Sequence, residues 1–198
     1  MTIGVQKMNY YVDTFTPDTI TEEQHIKLIK LCEDAYYLQE PAYANYDISD
    51  WQNKPHTLLR LFYIKKRFEI FNIVSDKDRP IAMSGAYVYN DIPIIGVRAF
   101  THPDYRGGGH WCQARTIFPK QIDWAENQGY SKVWLTFNTY NHKLVNFLKR
   151  MSQGRASTFG GPREIYQNLK WYDEPKEIQY TRQLVAELDI ALYKRSKQ

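Results

Sequence analysis

Residues 93–129 read PIIGVRAFTHPDYRGGGHWCQARTIFPKQIDWAENQG, and four consecutive features of this stretch decide the fold. A β-type run covers 94–101. The turn His102-Pro103-Asp104-Tyr105 follows, then the basic glycine run Arg106, Gly107, Gly108 and Gly109, then an amphipathic helix. Glycines are placed where a backbone takes positive φ or comes close to a ligand. Three of them at a helix start leave several amide N–H groups without intrahelical partners. Those amides, with the helix dipole behind them, form an anion site. Arg106 at the mouth adds a permanent charge with a planar donor fork suited to phosphate oxygens. The stretch reads as a diphosphate cradle, against the plainer alternative of a tight solvated turn.

Two familiar phosphate motifs fail here. A P-loop requires Lys followed by Ser or Thr after its final glycine, where His110 and Trp111 stand. A dinucleotide fingerprint counted from Gly107 and Gly109 requires glycine at the position of Cys112. The run His102 to Trp111, HPDYRGGGHW, instead resembles the central motif of the Gcn5-related N-acetyltransferases (the GNAT superfamily). In that family the turn reads Arg or Gln, any two residues, Gly, any residue, then Gly or Ala. Arg106 and Gly109 match, and Trp111 departs from the last place. Its indole either crowds a diphosphate or turns into the core.

With 198 residues, 43% of them hydrophobic, the chain is long enough for one sizeable core, and residues 1–198 are read as a single domain. No apolar run has the length of a membrane span and no cleavable leader is evident, so a cytoplasmic protein is expected. Cys32 and Cys112 make neither a disulfide framework nor a metal knuckle. They fit buried thiols, a single bridge being the other arrangement their number allows. The net charge of +4 and the short basic clusters argue against a nucleic-acid partner. The 16 Tyr, 9 Phe and 5 Trp are read as core and pocket walls rather than as stacking platforms for bases.

In chain order, 9–14 reads as an edge strand, and Thr21 with Gln24 as a capping box that opens a helix ended by Pro41. Residues 42–54 read as a loop and 57–66 as a second, less regular helix. Strands over 68–74 and 81–89 are joined by a polar turn, and Asn90-Asp91 turns the chain into the strand 94–101. In the following helix Trp111, Ala114, Phe118, Ile122 and Ala125 share a face, and Pro119 predicts a kink. A strand over 132–138 is expected parallel to its predecessor, because a helical crossover joins them. A helix with Leu144, Phe147, Leu148 and Met151 inward comes next, then a loop over 152–162. Strands 164–172 and 177–184 and a terminal helix 185–194 complete the expected order. The whole is an α/β (α+β) fold with a mixed, mostly antiparallel sheet of about seven strands flanked by helices, which matches the order of elements in the GNAT superfamily.

That resemblance implies an N-acetyltransferase using acetyl-CoA, with direct attack by a primary amine in a ternary complex. It implies pantetheine contacts from the main chain of Ala99, Phe100 and Thr101, by strand addition. It implies a diphosphate on the amides of Gly107, Gly108, Gly109, His110 and Trp111, with Arg106 nearby. Asn141 takes the place of the family's cofactor-binding asparagine. Seven residues on, where the family has a proton-donating tyrosine, stands Leu148, and Tyr140 is the nearest replacement. His102 is read as a turn residue. Arg98 either faces an anionic acceptor or pairs internally. No metal is expected. The acceptor is a small-molecule or peptide amine bound partly by 42–54 and 152–162, and the protein is a monomer or a homodimer. The alternative reading is a catalytically degenerate protein of the same fold, serving as a cofactor-binding or interaction module.

Overall fold

A computed structural model of the chain describes residues 10–16, 18–21, 23, 24, 27, 31, 68–106, 111–139, 141–153, 163–178 and 181–197. The readings of 42–54 as a loop and 57–66 as a helix, and the cysteine at position 32, lie outside the described residues. Eight strands form one sheet: β1 (Tyr11–Phe15), β2 (Ile70–Asp76), β3 (Arg79–Tyr89), β4 (Ile92–Thr101), β5 (Lys132–Asn138), β6 (Leu169–Trp171), β7 (Lys176–Ile178) and β8 (Thr181–Asp189). The spatial order is β1-β2-β3-β4-β5-β8-β6, with β7 also pairing on β8. Only β4 and β5 run parallel among the paired strands; the other pairs are antiparallel. The α-helices whose bounds fall within the described residues are α1 (Phe118–Asn127), α2 (His142–Ser152), α3 (Arg163–Tyr166) and α4 (Ile190–Arg195), and residues 23, 24, 27 and 31 are helical as well.

Local chemistry sets several of these boundaries. Thr21 N–H donates to Gln24 Oε1 at 2.9 Å and Gln24 N–H to Thr21 Oγ1 at 3.2 Å, the reciprocal capping box. Asn90 and Asp91 both take positive φ, 48° and 59°, as a two-residue hairpin turn between β3 and β4 requires. The β2–β3 turn is tighter than the six polar residues suggested. Ser75 and Asp76 pair with Pro80 and Arg79, which leaves only Lys77 and Asp78 in the turn.

The sheet separates two apolar layers. One, under α1 and α2, includes Ile95, Ile117, Ile122, Leu135 and Leu148. The other, on the opposite face, includes Phe71, Met83, Ile94, Phe100 and Val185. Fully burying an Ile or Leu contributes about 1.5–3 kcal/mol, so these layers dominate the favourable side of folding.

Four expectations are corrected. Pro119 does not kink a continuous α-helix. It sits in the first turn of α1, preceded by a π-helical turn over Gln113–Ile117 in which Phe118 N–H reaches Gln113 O. The wider turn accommodates a residue without an N–H. In α2 Val145 is buried with Leu148 and Met151, whereas Leu144 is 40% exposed, because the buried stripe runs 145, 148, 151. Residues 164–172 form α3 and the short β6 rather than one strand, and 177–184 are divided between β7 and β8. Finally, β8 continues to Asp189, where that carboxylate caps α4 through Leu192 N–H, so the terminal helix begins five residues later than expected.

Candidate active site

The feature that positions a site is the parting of β4 and β5. Their parallel pairing holds at Ile94↔Trp134 and Ile95↔Leu135 only. Beyond it, β4 stays paired to β3 as far as Thr101↔Ala82, and β5 to β8 as far as Asn138↔Gln183. The sheet therefore opens into a cleft between the two strands' C-terminal ends.

Two bulges bend β4 away from β5. Register shifts fall between Gly85 and Tyr87 and between Met83 and Gly85, each placing one extra β4 residue against β3. Gly96, at the first bulge, has φ +70° and lies so close to the Phe118 ring that a Cβ would stand 2.9 Å from Cε1. Bulges orphan backbone groups, and two glutamines meet them. Gln121 Oε1 accepts Gly96 N–H at 2.8 Å, while its Nε2 donates to Asn72 Oδ1 at 3.0 Å and Ser84 O at 3.1 Å. Gln113 Nε2 donates to Met83 O at 2.9 Å and Phe100 O at 2.8 Å. Neither glutamine was singled out from sequence, although Gln121 stands four residues after Ile117 and four before Ala125, inside the buried stripe.

The end of β4 is cross-linked. His102 N–H donates to Ile81 O at 2.7 Å on β3, so the Thr101 carbonyl of the same peptide plane points the other way. There it accepts Arg106 Nε–H at 2.8 Å. The Phe100 carbonyl instead lies in the bulge with Gln113. Arg79 Nη2 donates to His102 Nε2 at 2.9 Å. Asp104 N–H donates to the other ring nitrogen, His102 Nδ1, at 3.3 Å, so both nitrogens are engaged by neighbours of the turn. The buried His102 ring is thus a structural link between β3 and the turn, with a donor on each of its nitrogens. Tyr105 O–H donates to Asp76 Oδ2 at 2.8 Å, a bond that raises the phenol's pKa.

Of the remaining expected site residues, Gly107, Gly108, Gly109, His110 and Tyr140 lie outside the described residues. Ala99 is exposed on β4. The Trp111 ring stacks on Phe147 of α2, with centroids 5.9 Å apart and planes at 18°, and packs on Tyr166 of α3 at 6.0 Å. The indole therefore turns toward the helices and the core. Asn141 is the N-cap of α2, but its side chain bonds no helix amide. Leu148 is 4% exposed in the apolar layer. Burial pushes the Cys112 thiol up to about 11, and burial with the neighbouring Cys112 pushes Tyr10 up to about 12, so both hold their protons at neutral pH.

No protein-family model matches the sequence, and no curated protein matches it. Solved structures do match the fold. PaiA N-acetyltransferase from Thermoplasma acidophilum, in complex with coenzyme A, superposes with a TM-score of 0.54 at 11% identity, over 92% of this chain and 99% of its own. An acetyltransferase from Streptococcus agalactiae gives 0.57 at 12% identity, over 91% and 98%. ElaA from Escherichia coli gives 0.54 at 13% identity, over 90% and 99%. The chain has the fold of the GNAT acetyltransferases. Among the described residues no helix is long and apolar enough to cross a membrane.

Proposed function

We propose that the chain is a coenzyme A-dependent N-acyltransferase that moves an acetyl group from acetyl-CoA to a primary amine. The observation that carries this reading is the parting of β4 and β5 beside the sequence Arg106 to Trp111. It leaves the outer side of β4 without a strand partner from Gly96 onward, among the described residues. An extended chain with amide groups, such as pantetheine, fits such an edge as an added strand. The main chain of Ala99 and Thr101 would hold it, with Phe100 turned to the bulge. Arg106 and the amides of 107–111 would hold the diphosphate, and Asn141 the arm between. The cosubstrate supplies an activated thioester.

The chain's own contribution is chiefly placement, which alone lowers the barrier of a bimolecular step substantially. Tyr140, one residue before the N-cap of α2, is our choice for the donor of a proton to the departing thiolate. Neither His102 nor Glu187 serves as base in this scheme: Arg79 and the Asp104 N–H engage the two histidine nitrogens, and three donors engage one carboxylate oxygen.

A second reading, a degenerate member of the fold that acts as a binding module, is favoured by one observation. Leu148, at the family's acid position, is sealed in the core. Calorimetric titration with acetyl-CoA, repeated on Gly109→Glu, tests the cofactor, and thiol release across a panel of amines tests the chemistry. Micromolar binding lost in the variant, with thiol release, supports the enzyme. Binding without release supports a cofactor-binding module, and no binding withdraws the enzyme and leaves the interaction module.

A further inference from the structure

The face of the sheet opposite α1 and α2 carries an aromatic corner built by four segments. In the β5–β8 register Trp134 lies opposite Glu187, and Tyr172, just past β6, is tied to β8 through Val185 O. One carboxylate oxygen, Glu187 Oε2, accepts from Trp134 Nε1–H at 3.0 Å and from Tyr172 O–H at 2.8 Å, and pairs with Lys132 Nζ at 3.1 Å. These bonds fix both rings. Their centroids are 5.7 Å apart and their planes meet at 71°, the two walls of a corner. Lys176 of β7 lays its ammonium in it, 4.1 Å from the Tyr172 centroid and 5.6 Å from that of Trp134. Among the described residues Lys176 forms no ion pair, and the ring faces are what hold its cation there.

We propose that this corner is an ammonium-binding site, with Lys176 as a resident occupant that a ligand's cationic group displaces. Ring faces attract any organic cation within about 6 Å, primary or quaternary, with little demand on its hydrogen bonds. A charge held only in this way exchanges readily. Trp134 pairs with Ile94 where β4 and β5 part, so one wall of the corner stands on the strand that bounds the cleft, and the corner itself lies over β8 beside it. Its use there rests on the transferase reading: the acceptor is an amine with a second, non-reacting cationic centre, the first entering the cleft and the second taking the corner.

The test is titration of the full chain with choline and, separately, its neutral isostere 3,3-dimethylbutan-1-ol at constant ionic strength. Binding is followed by the Trp134 indole N–H resonance, assigned by its loss in Trp134→Phe. Lys176→Gln is expected to bind choline at least about fivefold tighter than the native chain, because the competing charge is gone. The isostere is expected to leave the resonance unmoved, Tyr172→Phe in the Lys176→Gln background to keep binding, and Tyr172→Leu in that background to lose it. Unchanged affinity in Lys176→Gln, an equal response to the isostere, or binding that survives Tyr172→Leu would overturn the site. A parallel acetyl-CoA titration separates the two claims. Choline binding without acetyl-CoA binding leaves the cation site and removes its role in acetyl transfer, and the converse removes the site alone.

Discussion

The side-chain carbonyl of Gln121, in the buried stripe of α1, accepts the backbone N–H of Gly96 across 2.8 Å. Through this bond a helix residue holds open the bulge that separates two strands. The same amide satisfies Asn72 and Ser84, so the group is 0% exposed and uses both ends.

Gln121→Leu keeps the volume but leaves the Gly96 N–H and the polar groups of Asn72 and Ser84 without their partner. Each buried group so stranded costs about 1–3 kcal/mol, and a total loss of about 2–4 kcal/mol is expected. Urea unfolding followed by circular dichroism measures it. A loss under about 0.5 kcal/mol would mean the bulge is held by something else.

Trp111 combines two opposing effects. Its φ of +48° is a left-handed conformation, while its ring packs on Phe147 and Tyr166. Trp111→Ala loses the packing and keeps the strained backbone; Trp111→Gly loses the packing and relieves the strain. Both are expected to be less stable than the native chain by about 2–4 kcal/mol, with the glycine variant the better of the two by about 1 kcal/mol. Thermal melts of the pair read the order directly, and an alanine variant more stable than the glycine one would contradict the left-handed assignment.

Leu148→Tyr places the family's proton donor at its usual position, yet here that position is core. Overpacking by the larger ring is expected to cost about 1–3 kcal/mol without raising the rate of thiol release. A stable variant with faster release would show that this side of α2 faces the chemistry after all.

Glu187 carries an acid-dependent part of the stability. Burial raises its pKa, but bonds from Trp134, Tyr172 and Lys132 outweigh burial and leave it below the ordinary carboxylate value. Stabilisation from a depressed carboxylate is complete above its unfolded pKa and is lost as pH falls through the folded one. Glu187→Gln is therefore expected to be clearly less stable than the native chain near pH 6, with the gap closing below about pH 4. Denaturation midpoints at the two pH values test this; a gap that widens in acid would reverse the sign.

The parts of the fold that were legible in the sequence are those fixed by neighbours along the chain. The capping box of Thr21 and Gln24 and the Asn90-Asp91 turn need only a few residues to be satisfied. So does the alternation in 132–138, and the parallel placing of β5 followed from the connection rule. The C-terminal region was less legible because β8 is shared: β6 and β7 take different lengths of the same strand, and no local signal tells a chain where its partner is already occupied. In α2, Leu144 and Val145 are equally apolar neighbours, so the stripe was ambiguous by one residue. Glutamines 113 and 121 became meaningful only once β4 was seen to be bulged, since an orphaned N–H is a property of two strands in register. The corner around Lys176 likewise depends on Trp134 meeting residues some forty positions further along the chain, which only the pairing of β5 with β8 brings together. Among the glycine-turn residues, Arg106 and Trp111 are described and the four between them are not.

The joint at Ile94 and Ile95 divides the sheet into two leaves, β1 to β4 and β5 to β8, each with its own continuous ladder. Between the leaves the main chain contributes a spine only two residue pairs long. What fixes their spacing is the apolar layer beneath α1, where Ile95, Ile117 and Leu135 meet. Ladders impose a spacing of about 4.8 Å and admit no intermediate value, whereas packed side chains vary by a methyl group at a time. The gape of the cleft is therefore set by residue volume, and it can be widened or narrowed by single substitutions under α1 without changing the register of any strand.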